Sequence, residues 1–407
     1  MKLALPAAAR RWTTDPDGTL RQGAYQSRLR DERLAAYLGA ALGALFTVCF
    51  FTCLYSHLHQ HPRAWLPLPS RPAGLYRLTQ GVHVAAGIAS LPVLAAKLWL
   101  VWPRFVAFPP VRSVSHFVER VGLFPLVAGG VFMVFSGVAN IAQWYPWRFS
   151  FTAAHFWMAW VTMGAIVAHV GAKWAVSRRA LAPPSRRPAL SEADPALEAV
   201  AEPSPGTGPG LSRRGFLGTV AAASGVLTVT TVGQTFPPLR SVALLAPRDP
   251  GRGPQGYPVN RGARNAGVVE LARSPDYRLM VGGRVARPLS LDLAALMALP
   301  AHEARLPIAC VEGWSYSAPW RGVRVRDLLA MAGAEDDRTI LLESLEPVGV
   351  YRTSTLNPGQ AADRDTLLAT HLDGQPLALD HGFPCRLIAP NRPGVLQTKW
   401  VTRVTVL

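Results

Sequence analysis

Ala304-Arg305-Leu306-Pro307-Ile308-Ala309-Cys310-Val311-Glu312-Gly313-Trp314-Ser315-Tyr316-Ser317-Ala318-Pro319-Trp320-Arg321-Gly322 is the stretch that decides how this chain is read. An apolar run ends on Cys310, a Glu-Gly-Trp turn follows, and Trp320-Arg321-Gly322 closes the segment. The pattern predicts a strand that delivers a cysteine to a Gly-containing turn, a placement that offers a thiolate to a soft metal. Free cysteine is equally at home as a small buried core residue, so the local chemistry leaves both readings open.

A second block lies downstream: His381-Gly382-Phe383-Pro384-Cys385-Arg386-Leu387, then Lys399-Trp400. Cys-Val-Glu-Gly-Trp-Ser (310–315), Ala-Pro-Trp-Arg-Gly-Val (318–323) with Asp327-Leu328-Leu329, and this second block resemble the oxidoreductase molybdopterin-binding superfamily. That superfamily includes sulfite oxidase and the periplasmic methionine sulfoxide reductase catalytic subunit. The resemblance covers roughly residues 245–407. It implies a Mo-molybdopterin cofactor, Cys310 as the molybdenum ligand and catalytic group, and His381, Arg386 and Lys399 as the residues that hold the pterin and its phosphate. The chemistry agrees, because a phosphate dianion needs fixed cationic donors. Asn260, in Pro-Val-Asn-Arg, and Ser344, in Glu-Ser-Leu-Glu, are further polar matches toward the pterin; ordinary turn or strand roles are the alternative. The chain departs from sulfite oxidase in two ways. It reaches Leu407 seven residues after Trp400, where that enzyme continues into a dimerisation domain, and no cytochrome b5 module precedes the fold. The expectation is therefore the monomeric, reductase-like branch.

The 407 residues are 49% hydrophobic, enough for two or three domains, and carry a net charge of +17. Such a charge can mark a nucleic-acid binder, but its distribution argues against one. Up to Arg214 there are 22 Lys and Arg against 9 Asp and Glu; beyond it there are 20 against 16. The excess sits in the half with the long apolar runs, as membrane topology requires, and no nucleic-acid partner is expected. Four cysteines make no disulfide framework at this length. Cys49 and Cys53 read as helix packing residues and Cys385 as core.

Residues 1–33 read as a polar, Arg-rich cytoplasmic tail. Residues 34–176 hold four runs without Lys, Arg, Asp or Glu, at 34–62, 78–96, 121–147 and 149–172, each predicting a membrane-spanning helix. With the N-terminus inside, the inner segments carry 18 Lys and Arg and the outer loops 4, a strong positive-inside bias. Trp144, Tyr145 and Trp147 fall at an outer boundary. Residues 177–211 are a Pro/Ala/Gly-rich linker. In 212–239, Ser212-Arg213-Arg214-Gly215-Phe216-Leu217-Gly218 resembles a twin-arginine export motif. It precedes a 25-residue uncharged run, Gly215–Leu239, read as a retained fifth helix. Residues 240–407 show mixed patterning. Strands are predicted at 277–281 and 339–342, short helices at 291–299 and 325–332, and an alternating edge strand at 401–407.

Several of the ten histidines fall inside the apolar runs, where an ionisable group is costly and usually functional. His155 and His169 are 14 residues apart on one helix, so they share a face about 21 Å apart at 1.5 Å per residue. That spacing suits two stacked haems with paired imidazole ligands. His83 and His155 are assigned to the outer haem. His169 and His116 are assigned to the inner one, with an interfacial role for His116 the alternative. His57, His59 and His61 read as interfacial, with a quinone-site role as the other possibility. The four-helix segment resembles di-haem cytochrome b membrane subunits.

The expected fold is thus multidomain: an all-α transmembrane helix bundle followed by an α+β, sulfite-oxidase-like molybdopterin domain. The expected function is a membrane-anchored molybdopterin-dependent oxidoreductase. Electrons pass between quinone or quinol, one or two haem b groups, and an extracytoplasmic molybdenum centre. There a small oxo substrate such as a sulfoxide exchanges an oxygen atom. Arg321, Arg324, Trp314 and Tyr316 are weaker candidates for the substrate pocket. The plasma membrane, its lipid and the twin-arginine export machinery are the implied surroundings. Direction of flow is open. The alternatives are a sulfite-oxidising enzyme of the same fold, a haem-free anchored molybdoenzyme, and a haem-only electron-transfer protein.

Overall fold

The computed structural model describes residues 27, 29–63, 65–106, 114–182, 211–246, 248, 251–335 and 337–407. Most of the expected N-terminal tail and most of the expected linker lie outside the described residues.

Five helices are long and apolar enough to cross a membrane: α1 (Glu32–Gln60), α2 (Leu75–Val106), α3 (Val114–Ile141), α4 (Phe151–Leu181) and α5 (Arg213–Val232). Their outer surfaces are apolar as well; Phe124 is 74% exposed and Trp157 67%, which suits a surrounding without water. The ends differ from the sequence expectation for local reasons. α4 runs on to Leu181, past the start of the expected linker, because Ala175 to Ala182 offers helix formers until Pro183-Pro184. α5 stops at Val232, although the uncharged run continues. Gly233 and the Pro237-Pro238 pair disfavour the α-helix, and the remainder folds as 3-10 turns, Gly233–Thr235 and Pro237–Val242.

The chain divides into two compact units. One is residues 1–50, 86–139 and 145–228; the other is 51–85, 140–144 and 229–407. In the first, Leu34 and Leu38 of α1 pack with Val93, Ala96 and Leu100 of α2 and with Phe216 and Leu217 of α5. Polar groups among these helices find backbone partners: Lys97 Nζ donates to Ala35 O and Ser224 Oγ to Ala89 O.

The second unit holds two five-stranded sheets. The first has the order β2 (Leu289–Leu291), β1 (Leu279–Gly283), β10 (Val401–Val406), β5 (Ile340–Ser344), β6 (Thr353–Leu356). Only β1 and β10 run parallel. The second has the order β3 (His302–Ala309), β4 (Ser315–Arg324), β7 (Leu367–Leu372), β8 (Gln375–Pro376), with β9 (Arg386–Ile388) also on β7. Five short helices join them: α6 (Ala263–Ala266), α7 (Val269–Arg273), α8 (Leu293–Ala298), α9 (Val325–Ala332) and α10 (Pro358–Ala362). Asp292 caps α8 by accepting from Ala295 N, and Asn357 with Gln360 forms a capping box on α10. Leu279, Val281, Leu328, Ile340, Leu342, Leu387 and Val404 form one core; Leu306, Trp320, Leu367, Leu372 and Ile388 form another.

One expectation is overturned. Residues 401–407 were expected at a sheet edge, yet β10 is the middle strand, between β1 and β5. Alternation reports that one face is more buried than the other; it carries no information about lateral position.

The ends of α1 and α2 belong to this second unit and are tied into it. Asn391 Oδ1 accepts from Tyr76 N at 2.8 Å, and its Nδ2 donates to Pro69 O at 2.8 Å. Arg71 bridges Asp363 at 2.7 Å and Asp365 at 2.5 Å.

Candidate active site

β3 and β4 pair antiparallel from His302↔Gly322 to Ala309↔Ser315. The five residues between them make a tight turn in which Cys310 N donates to Trp314 O at 3.0 Å and Gly313 N donates to Cys310 O at 3.2 Å. The cysteine thus leaves a strand end on a fixed backbone, as its sequence context predicts. It is buried, and burial together with the Glu312 carboxylate pushes its thiol up to about 12. A thiol so placed stays protonated until a cation takes the proton's place.

Cys310 borders a pocket shared with Asn260, Trp314, Tyr316, His381, Arg386 and Lys399. Arg386 starts β9, where Nη1 donates to His381 O at 3.0 Å and Nη2 to Gln397 O at 3.1 Å. Its guanidinium lies 5.2 Å from the Trp320 ring, while Nε is buried and has no partner. Lys399 Nζ donates to Arg261 O at 2.6 Å and Asp380 O at 2.9 Å. Burial lowers Arg386 to about 10; burial, with Arg386 nearby, lowers Lys399 to about 7. His381, also depressed by burial to about 4, is neutral, and its Nε2–H donates to Pro254 O at 2.8 Å. No Asp or Glu lines the pocket. A buried arginine and a half-buried lysine without a lining carboxylate are costly, and a bound dianion would offset that cost. Among the described residues no three His, Cys, Asp or Glu side chains gather as a metal site. A metal on Cys310 would therefore take its other donors from outside the chain, and the cationic wall fits a phosphate-bearing carrier of those donors.

Five sequence-predicted residues, Cys310, Asn260, His381, Arg386 and Lys399, meet at this one pocket. Asn260 Oδ1 accepts from Arg261 N, a local turn bond. Ser344 does not border the pocket; its hydroxyl accepts from Glu346 N at 3.2 Å at the end of β5. Arg321 is exposed, and Arg324 meets His302 and Asp327; neither borders the pocket. Trp314 and Tyr316 do, with parallel rings 6.0 Å apart, and Tyr257 stacks on Tyr316 at 4.7 Å. Sequence reasoning missed Trp320 beneath Arg386 and the buried Arg392, whose Nη2 has no partner. An arginine between Asn391 and Pro393, in a loop between two matched blocks, was the available signal.

The histidines of the long helices are placed as follows. His83, on α2, has Nδ1 3.1 Å from Thr52 Oγ1. His155, on α4, has Nδ1 2.9 Å from Ser136 Oγ. Ser136 Oγ also donates to Phe132 O at 2.6 Å, so the His155 Nδ1–H donates and the proton is on Nδ1. His169 also lies on α4; His116 is on α3, its side chain outside the described residues. His59 is buried, with Tyr55 and Tyr76 rings at 4.6 and 5.4 Å, and the His57 and His61 rings are 4.4 Å apart.

Residues 266–407 match the family described as oxidoreductase molybdopterin binding domain. Mitochondrial sulfite oxidase from Drosophila melanogaster is 31% identical over 168 residues, 35% of this chain and 29% of that protein. Its Rattus norvegicus counterpart is 34% identical over 160 residues, 32% of this chain and 29% of that one. Nitrate reductase [NAD(P)H] from Hordeum vulgare is 30% identical over 172 residues, 35% of this chain and 19% of that one. Among solved structures, the sulfane dehydrogenase SoxCD from Paracoccus pantotrophus aligns at 25% identity with a TM-score of 0.30, over 32% of this chain and 38% of that chain. The chain spans under a third of the length of these two sulfite oxidases. The match of residues 266–407 to an oxidoreductase molybdopterin-binding domain, with these relatives, supports an oxidoreductase activity. The Tyr257–Asn260 wall of the pocket lies upstream of the matched range.

Proposed function

We propose that this chain is a membrane-anchored molybdopterin-dependent oxidoreductase. It would pass electrons between the quinone pool, b-type haem and an extracytoplasmic molybdenum centre, which exchanges an oxygen atom with a small oxo substrate, sulfoxide reductase-like. The observation that carries this reading is the gathering of Cys310 with Arg386, Lys399 and His381 around one pocket that, among the described residues, has no lining carboxylate. When bound, the molybdenum centre supplies two-electron oxygen-atom exchange. Cys310 Sγ, set at a fixed position by the turn bonds to Trp314 and Gly313, would give up its proton and hold the metal. Arg386 and Lys399 would hold the pterin phosphate, and that anion would in turn favour the charged lysine. Trp314 and Tyr316 exclude water from the metal's surroundings.

His83 and His155 would hold one haem, and His169 with His116 a second. The Nδ1 bonds to Thr52 and Ser136 support this, since a ligating imidazole is oriented by a hydrogen bond at its other nitrogen. The five apolar helices support residence in the plasma membrane, and the arginine pair at the start of α5 supports export of residues 240–407 by the twin-arginine machinery. The sulfite oxidase relatives favour a second reading, sulfite oxidation with electrons flowing toward quinone.

The test is a purified full chain from a cofactor-competent host, assayed for molybdenum, for dithionite-reduced b-type bands, and for turnover with sulfoxides, sulfite, nitrate and chlorate. Molybdenum without haem bands would leave an anchored molybdoenzyme; haem without molybdenum, an electron-transfer protein. Cys310→Ser should abolish turnover with the haem spectrum unchanged, and retained turnover would refute the role given to that sulfur.

A further inference from the structure

The turn that carries Cys310 is braced from outside by helix ends of its own unit. Gly313, at φ +90, brings the turn so close to α2 that a Cβ built on it would stand 3.0 Å from Val84 Cγ1. Val84 is itself buried. Asn140, one residue before the end of α3, donates from Nδ2 to Val311 O at 3.1 Å. Gln143 Nε2 donates to Glu312 Oε1 at 2.7 Å, and Glu312 Oε2 accepts from Trp314 Nε1 at 2.8 Å. A turn already closed by its own two backbone hydrogen bonds needs none of this to form. The bracing fixes where the turn sits relative to α2, and Val84 directly follows His83. From His83 to Cys310 the path is one peptide link to Val84, the close approach of the Val84 side chain to Gly313, and one hydrogen bond from Gly313 N to Cys310 O.

We infer that this turn is where electrons cross between haem held at His83 and metal held at Cys310, with Val84 and Asn140 as positioning residues for the crossing. The inference rests on the proposed haem and molybdenum sites. In the reductive direction each crossing oxidises one ferrous haem and reduces the pocket metal by one electron. Two crossings and two solvent protons balance removal of one oxygen atom from the substrate as water. In the sulfite-oxidising direction the same two electrons return along the same contact. An aliphatic contact and an amide bond suit this step, which moves electrons and no proton between the sites.

The test uses the full chain in detergent. Val84→Ala removes the contact with Gly313, Asn140→Leu removes the bond to Val311, and Val84→Ile keeps a branched aliphatic group in place. Dithionite-reduced protein, freed of excess reductant, is mixed with methionine sulfoxide, and oxidised protein with sulfite; the haem band is followed in both. Haem oxidation or reduction should slow on the order of tenfold in Val84→Ala and Asn140→Leu, the scale set by lost sub-ångström positioning, and recover in Val84→Ile. Turnover with reduced viologen, which reaches the pocket from solution, should stay at the wild-type rate. The haem midpoint potential, measured in protein made without molybdenum, should not move. Unchanged haem kinetics in both loss variants would overturn the inference, as would an equal loss of viologen-driven turnover, which would make the bracing mere support for the pocket. A wild-type protein without haem bands, or with haem that responds to neither substrate, would overturn the functional reading beneath it and the inference too.

Discussion

Lys399→Met is the substitution whose energetics the pocket defines most fully. The ammonium is buried beside Arg386, 4.9 Å from the Trp400 ring, and donates to Arg261 O and Asp380 O. Burial lowers it from 10.5 to about 7 in the folded chain. An unfolded chain keeps that proton up to about 10.4, so between the two values the unfolded state binds more protons. Stability of the pterin-free protein therefore rises with pH through this window, by at most about 1.4 kcal/mol per pH unit, and levels off above it. The whole window amounts to about 5 kcal/mol as an upper figure. Methionine keeps the unbranched stem and removes the proton site. Hydrogen exchange of the β9 and β10 amides, corrected for intrinsic rates and compared between about pH 7 and 8, below the range where unfolded cysteines titrate, should give an opening free energy that climbs more steeply in the wild type than in Lys399→Met. In the cofactor-loaded wild type the slope should shrink, because a phosphate dianion holds the proton on the lysine. Equal slopes in wild type and variant would refute the electrostatic account of the pocket.

Gly382 sits at φ +110, and a Cβ there would lie 3.0 Å from Arg386 Cβ and 3.1 Å from Lys399 Cβ. Gly382→Ala should cost roughly 2–4 kcal/mol from backbone strain and overpacking together, read by thermal unfolding, and should lower pterin content by splaying the two cations. Asn391→Ala removes the buried acceptor of Tyr76 N and the half-buried donor to Pro69 O. A loss of about 2–4 kcal/mol is expected, with faster proteolysis between residues 62 and 75 as the local readout.

The sequence carried the site better than the sheet order. Cys310, Arg386 and Lys399 were legible because two short blocks resemble the molybdopterin-binding superfamily; the local chemistry of Cys310 alone left a core role equally open. Their convergence was not, since it depends on pairings between residues far apart, such as Leu367↔Ile388 and Leu342↔Val404. Ser344 shows the opposite failure: a polar residue in a plausible place whose hydroxyl serves a local turn. The long helices followed from uncharged runs, whereas their ends were set by Pro183-Pro184 and Gly233, which hydropathy does not weigh. β10 was recognisable as a strand, but a period of two is the same in the middle of a sheet as at its border.

The central place of β10 has a consequence for biogenesis. The first sheet cannot join its halves until residue 406 has left the ribosome, because β1 and β5 each pair with residues 401–406. Throughout synthesis both strands carry unsatisfied backbone edges on that side, the state most open to wrong partners. Closure of this sheet therefore waits for residues 401–406, and pulse-labelled chains should turn protease-resistant in a single step once that segment is available.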